Sequence, residues 1–146
     1  MKERNKFPIS AQLLLVKENK ILLMKRKNTG YEDGKYCFPG GHVKADEEIR
    51  QAAIREAKEE IGIDIKKEDL ELYKILNRKI EEGGEYIDFV FKVKKWTGDV
   101  TNAESEKCEE IIWKDINNIP ENILDFIPEI LKESNSIYIP YNWKEE

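Results

Sequence analysis

The chain has 146 residues, 40% of them hydrophobic. That is the length of one domain, residues 1–146, with enough apolar side chain for a core and too much for a disordered segment. Lys plus Arg is 25 against 30 Asp plus Glu, a net charge of −5, and the longest basic run is Lys25-Arg26-Lys27. The balance argues against an extended nucleic-acid surface. So acidic a protein needs a cation to hold a small phosphate-bearing ligand.

No apolar run is long enough to cross a bilayer, and Lys17 ends the run Leu13 to Val16 near the N-terminus. Met1 to Lys6 is basic, but no signal-peptide core follows it. The two cysteines, Cys37 and Cys108, are too few for a disulfide scaffold and suit a reducing cytoplasm as ordinary packing residues. A cytoplasmic protein with no membrane partner is the expectation.

In chain order, residues 9–16 and 20–26 predict two strands joined as a hairpin through Glu18, Asn19 and Lys20. Residues 27–46, with Pro39-Gly40-Gly41, predict a loop with a tight turn. Residues 47–61 lack Gly and Pro and are rich in Glu, Ala, Lys and Ile, which predicts a helix stopped by Gly62. Strands are expected at 69–79 and 86–93, with Gly83 and Gly84 in the turn between them. In the second, Ile87, Phe89, Phe91 and Val93 share one face, and Tyr86, Asp88 and Lys92 share the polar one. Trp96 to Glu110 is expected as a long polar loop and Ile111 to Trp113 as a short strand. Pro120 starts a second helix carrying Ile123, Ile127, Ile130 and Leu131 on one face, with a kink at Pro128. The order predicts a mixed α/β domain with its sheet between helices.

The helix over 47–61 breaks the amphipathic rule. With Ile49 at zero and about 100° per residue, the stripe of Ala52, Ala53, Ala57 and Ile61 also contains Glu56, at about 340°, and Glu60, at about 20°. Glu59 sits on the edge of the stripe, at about 280°. Like charges at i, i+3 and i+4 repel, and burying them unpaired is costly. On this wheel Arg55 reaches Glu59 and points away from Glu56 and Glu60. A divalent cation answers the repulsion, since Mg²⁺ and Mn²⁺ prefer oxygen ligands. A Glu-rich solvated face is the bland alternative. The alanines between the carboxylates weigh against it, because they permit close approach of another element. Gly40-Gly41 can expose backbone groups beside the helix start, where a metal or phosphate could use them. An ordinary tight turn explains the pair equally well.

Loop and helix together read Gly41-x5-Glu47-x7-Arg55-Glu56-Ala57-Lys58-Glu59-Glu60-Ile61-Gly62-Ile63. This resembles the Nudix box, G-x5-E-x7-R-E-U-x-E-E-x-G-U with U aliphatic, the signature of the Nudix hydrolases. All seven fixed letters match, and the one departure is Ala57 where a larger aliphatic is usual. The resemblance implies a Nudix-type α/β/α sandwich with a mixed central sheet. It also implies Mg²⁺- or Mn²⁺-dependent hydrolysis of a nucleoside diphosphate linked to another moiety.

The resemblance carries roles to particular residues. Glu59 and Glu60 become metal ligands, and Glu56 a ligand or the general base on the attacking water. Arg55 orients a Glu side chain. Glu47 assists as an outer ligand or as the ion-pair partner of Arg55, and Gly40 or Gly41 offers a carbonyl. Similar proteins add a carboxylate from a distant loop, here Glu104 or Glu106, with Glu104 preferred. A basic residue near Arg26 touches phosphate in such proteins, although a plain surface Arg fits as well. His42 follows Gly41 and is open to a site contact or a structural role.

The implied partner is a small-molecule nucleotide, with monomer and homodimer both open. The aromatics Phe7, Tyr31, Tyr36, Phe89, Trp96 and Tyr138 are open between base stacking and core. The rival class is a non-catalytic Nudix-fold module that senses a nucleotide or binds a protein. Such a module typically loses acidic letters of the box, and this chain keeps all four glutamates. A simple metal-binding structural protein is the second rival.

Overall fold

The computed structural model describes residues 3–144. Met1 and Lys2 of the basic N-terminal segment therefore lie outside the described residues. Strands β1 (Ile9–Lys17) and β2 (Lys20–Arg26) form the expected antiparallel hairpin. Its turn puts Glu18 at φ 58°.

Residues 27–46 are not loop throughout. They hold two short strands, β3 (Tyr36–Cys37) on β2 and β4 (Gly40–His42) on β1. These are too short to show periodicity and exist because longer neighbours offer them an edge. Helix α1 (Ile49–Ile61) starts two residues later than expected. Glu48 caps it with an extended backbone, and its N–H donates to Oε1 of Gln51 at 3.2 Å. Gly62 ends it in the left-handed region, φ 71°, as expected for a C-terminal glycine.

A 3₁₀ turn at Lys67–Asp69 precedes β5 (Glu71–Lys79), which pairs antiparallel with β6 (Glu85–Val93). Strand β7 runs over Cys108–Asp115, well beyond the three residues expected, because it pairs along the whole of β2. The helix expected from Pro120 is absent there. Helix α2 is one short turn, Ile127–Leu131, and Pro128 sits at its start, where its missing N–H costs nothing. A strand with no sequence signal, β8 (Tyr138–Tyr141), then pairs parallel to β5.

The main sheet order is β3-β2-β1-β6-β5-β8, with β4 added on β1 and β7 on β2. It is mixed, since β1–β6 and β5–β8 are parallel and the other pairs antiparallel. Two cores lie on its two faces. Leu13, Leu15, Leu22 and Met24 meet Ala52, Ala53, Ala57 and Ile61 of α1. Leu14, Leu23, Leu76 and Val90 meet Phe126, Ile127 and Ile130 around α2. The consecutive leucines of β1 thus serve both layers, as a strand covered on both faces must. Each fully buried Leu or Ile contributes roughly 1.5–3 kcal/mol of transfer free energy. The expected α/β/α sandwich is the fold.

One expectation about β6 is corrected. The face carrying Asp88 is not solvated, because Asp88 and Val90 are both fully buried. Alternation survives in β6, but the second layer covers the face that was read as polar.

Candidate active site

Two glycines bring the loop and the helix together. Gly40 takes φ 148°, and a Cβ there would strike the carbonyl oxygen of Ala11 on β1. A Cβ on Gly41 would strike the carboxylate of Glu56. Only glycines let β4 lie this close to both β1 and the acidic edge of α1.

Glu56 and Glu60, inside the stripe, are half-buried at this contact, whereas Glu59, on its edge, is exposed. Oε1 of Glu60 accepts the N–H of Gly40 at 2.7 Å. Burial, and then the nearby Glu56 carboxylate, push the Glu60 carboxyl well above the usual carboxylate range.

Arg55 corrects the wheel. It does not point away from Glu56: its Nη1 donates to Oε1 of Glu56 at 2.8 Å and to Oε2 of Glu59 at 3.2 Å. Its Nε and Nη2 form a fork on Glu47, at 2.8 and 3.1 Å, and Nη2 also meets the His42 carbonyl at 3.1 Å. A wheel projects Cβ directions, but a long guanidinium folds over its neighbour. The fork on Arg55, with the Lys44 N–H, lowers the Glu47 carboxyl to about 2. Glu47 itself sits in the turn before α1, not in its first turn.

The stretch after Trp96 is tied down along its length. Thr101 and Ala103 donate to the carbonyls of Ile61 and Glu60, each at 3.0 Å. Asn102 Nδ2 holds the Cys108 carbonyl at 2.8 Å. This brings Glu104, half-buried, to the acidic pair. Burial is the main cause of its raised carboxyl pKa, and Glu56, Glu106 and Glu59 add to it against Lys107. Glu106 is exposed, and its carbonyl accepts from Asn28.

Glu56, Glu60 and Glu104 line a cleft of about 470 Å³ with Gly40, Gly41 and Arg26. Among the described residues no three Asp, Glu, His or Cys side chains already converge as a metal cage. The donor set still fits a hard divalent cation. It is all oxygen, and two of its carboxylates, Glu56 and Glu60, press against each other. The pair has a measurable consequence in metal-free protein. Unfolded, Glu60 loses its proton in the ordinary carboxylate range; folded, it holds that proton to higher pH. Metal-free stability should therefore fall as pH rises above that range. Glu60→Gln should flatten the slope and raise the metal-free Tm by a few degrees, since about 1 kcal/mol moves Tm roughly 2–4 °C in a domain of this size. Thermal melts in chelator across pH check this, and an unchanged slope would contradict it.

A second cleft, about 680 Å³, shares Arg26, Cys37, Gly40, Gly41 and His42 with the first. Arg26 stands at the junction. Its Nε donates to the Tyr31 carbonyl at 2.8 Å, and its guanidinium lies 5.3 Å from the Tyr31 ring centre. His42 stacks obliquely on Tyr86, with Nε2 3.1 Å from the tyrosine hydroxyl. Cys37 is half-buried, and desolvation raises its thiol to about 11.

The second cleft contains what the sequence reading missed. Arg78 pairs with Asp88, Ser10 Oγ donates to Asp88 at 2.6 Å, and Gln12 Nε2 adds bonds to Ser10 and Asp88 at 3.2 and 3.3 Å. The Arg78 guanidinium lies 4.2 Å from the Phe126 ring centre and 4.7 Å from that of Tyr86. The available signal was an aspartate and an arginine inside alternating strands, a pattern that also describes a solvated face. Phe89, offered as a stacking candidate, packs against the α1-side core instead, and Trp96 joins it there.

A family model described as the NUDIX domain matches residues 6–133. An ADP-ribose pyrophosphatase of Methanocaldococcus jannaschii is 35% identical over 113 residues, covering 77% of this chain and 64% of that protein. An 8-oxo-dGTP diphosphatase of Proteus vulgaris is 35% identical over 65 residues, 44% of this chain and 58% of its own length. The matches thus span less than two thirds of either relative. A crystal structure of a MutT NUDIX hydrolase from Burkholderia pseudomallei superimposes with a TM-score of 0.78 at 24% identity, covering 85% of this chain and 95% of that one. A bifunctional NMN adenylyltransferase/ADP ribose pyrophosphatase from Francisella tularensis, complexed with AMP and a manganese ion, gives 0.70 at 22% identity, over 89% of this chain and 41% of that one. The family match spans most of the chain and takes in the acidic helix edge, the two glycines and Arg55: this chain belongs to the Nudix family.

Proposed function

We propose that this chain, acting as a single domain over residues 1–146, is a divalent-metal-dependent hydrolase. It cleaves the pyrophosphate bond of a nucleoside diphosphate linked to another moiety, a nucleoside triphosphate or related nucleotide. The observation that carries the reading is Glu60: a half-buried side chain whose carboxyl is pressed against Glu56 in a cleft that Glu104 also lines. Relatives named as an ADP-ribose pyrophosphatase and an 8-oxo-dGTP diphosphatase support it, as does a structural neighbour bound to AMP and manganese.

In this reading Glu59, Glu60, Glu104 and the Gly41 carbonyl would hold Mg²⁺ or Mn²⁺, and Glu56 would share the ion or act as the general base. Bound there, the ion lowers the pKa of water and offsets charge on phosphate oxygens. Arg55 fixes Oε1 of Glu56, leaving Oε2 to take the proton of the attacking water. Glu47 holds Arg55 in place from the other side. Arg26, Gly40 and Gly41, at the junction of the clefts, hold the phosphates, and the aromatic walls of the larger cleft take the nucleoside. Among the described residues no helix is long and apolar enough to cross a membrane, which is compatible with a cytoplasmic small-molecule enzyme.

A panel of nucleoside triphosphates, ADP-ribose, nucleotide sugars and dinucleoside polyphosphates, incubated with Mg²⁺ or Mn²⁺ and scored for phosphate products, tests the reading. No turnover of any member would overturn it in favour of a binding module. Glu104→Gln is expected to slow turnover or weaken metal dependence, by less than Glu60→Gln does, since Glu104 supplies one donor from a separate element. Metal titrations of both variants check the order. An unchanged Glu104→Gln would remove that residue from the site.

A further inference from the structure

The larger cleft has a polar floor whose order is fixed from below. Asp88 is fully buried beneath it, and Ser10 and Arg78 are 5% and 8% exposed. Ser10 Oγ spends its one hydrogen on Oδ1 of Asp88, at 2.6 Å, so it has only lone pairs left for other partners. Arg78 turns Nε and Nη2 to the same carboxylate.

Gln12 lies over this network. Its side-chain amide has a donor end and an acceptor end, and its neighbours decide which way round it sits. Nε2 stands 3.2 Å from Ser10 Oγ and 3.3 Å from Asp88 Oδ1, two atoms that accept from it. Reversing the amide would set an oxygen against a buried carboxylate, which is costly. Oε1 is therefore held on the outer side, and Gln12 lines the larger cleft. Among the described residues no donor meets Oε1, yet it is not sealed inside the protein.

The position of this acceptor is as definite as its direction. Gln12 pairs with Gly40 across the β1–β4 ladder, and neighbouring strands lie about 5 Å apart. Oε1 thus stands close to the junction where Gly40, Gly41 and Arg26 border both clefts, on the side walled by Tyr31, Tyr86 and Phe126. A nucleoside whose phosphates sit at the junction brings its base between those walls. An acceptor there welcomes an N–H and repels a carbonyl oxygen. Arg78, the neighbouring group that could welcome a carbonyl, is nearly buried and turned to Asp88, with the rings of Phe126 and Tyr86 against it.

We propose that Gln12 selects the nucleobase: its Oε1 accepts a hydrogen from an exocyclic amino group, so a base bearing an amino group is preferred to its counterpart bearing an oxo group. This rests on the pyrophosphate reading above and narrows it to amino-bearing nucleotides. Gln12 is then a specificity-determining residue, and Ser10 and Asp88 are positioning residues that act through it.

The test uses pairs of nucleotides that exchange amino for oxo on the base: cytidine and uridine triphosphates, adenosine and inosine triphosphates, and ADP-ribose with its inosine counterpart. With the full-length protein and Mg²⁺ or Mn²⁺, kcat/KM should favour the amino member of each hydrolysed pair about tenfold, the order of one hydrogen bond. Gln12→Met keeps the length of the side chain and removes the amide. In that variant the preference should shrink to about twofold or less, with KM rising for the amino member and staying level or falling for the oxo member. A ratio within one pair does not depend on how much of the protein is folded, so a destabilised variant still reports.

If the wild type does not prefer the amino member, or Gln12→Met keeps the preference, the assignment is overturned. If Gln12→Met slows both members equally, Oε1 serves the sugar or only the network beneath it, and the assignment is overturned again. Turnover of none of these nucleotides overturns it too, and the pyrophosphate reading falls with it only if the wider panel above is also silent.

Discussion

Glu56→Gln and Glu60→Gln are each expected to lower kcat by about 10² or more, a loss typical of removing a base or a metal ligand. Glutamine keeps the shape of each side chain and removes its charge. For Glu56 that leaves the Arg55 bond an acceptor at Oε1 but takes away the oxygen that accepts the proton. For Glu60 the Gly40 N–H keeps its partner, and only the anionic donor is lost. Because Glu60→Gln should also melt higher than the wild type without metal, its loss of turnover cannot be assigned to unfolding. Glu48→Gln is the control. Glu48 caps α1 from outside the cleft and pairs with Arg50 at 3.0 Å on the exposed side. Its steady-state constants should stay close to the wild type. If all three variants behave alike, the assignment of roles fails.

Removing the metal is expected to abolish turnover. In excess chelator, hydrolysis of any accepted pyrophosphate should fall to background, and adding Mg²⁺ or Mn²⁺ should restore it. The reason is electrostatic: the net charge is −5, the cleft floor is acidic, and the substrate is polyanionic. Arg26 and Lys107 cannot neutralise both the floor and a pyrophosphate. The same metal should raise Tm, by an amount that grows with its concentration. A ligand at 100 times its Kd contributes about 2.7 kcal/mol to the folded state. The gain should be larger at higher pH, where Glu60 has to ionise in any case, and smaller in Glu60→Gln. Full turnover in excess chelator would defeat the mechanism, whatever the thermal data show.

Local and non-local information enter this fold at different places. The acidic helix edge was legible because a helix repeats every 3.6 residues, so Glu56 and Glu60 had to share a face with Ala52 and Ala53. The stop at Gly62 and the first hairpin were legible for the same reason, since both depend on neighbours in sequence. Glu104 and Glu106 lie in one polar stretch that the bonds of Thr101 and Ala103 hold to the end of α1; Glu104 lines the cleft and Glu106 is exposed. The sequence described that stretch as a long loop, but backbone bonds to another element hold it in place.

The helix, its three carboxylates, the glycines that let a strand approach them and an acidity that calls for a cation all follow from residue order and composition. The remaining features depend on how distant elements pack. Arg55 reaches Glu47, Glu56, Glu59 and the His42 carbonyl because β4 is held beside α1. Asp88 is buried because α2 and its flanks cover the face that alternation marked as polar, and because Arg78 and Ser10, the latter 78 residues away in sequence, supply its bonds. Strand β8 exists because β5 presents an open edge to it. Periodicity reports which side of an element faces inward, whereas burial on the second face, and the partner that neutralises a charge there, depend on which distant element arrives to cover it.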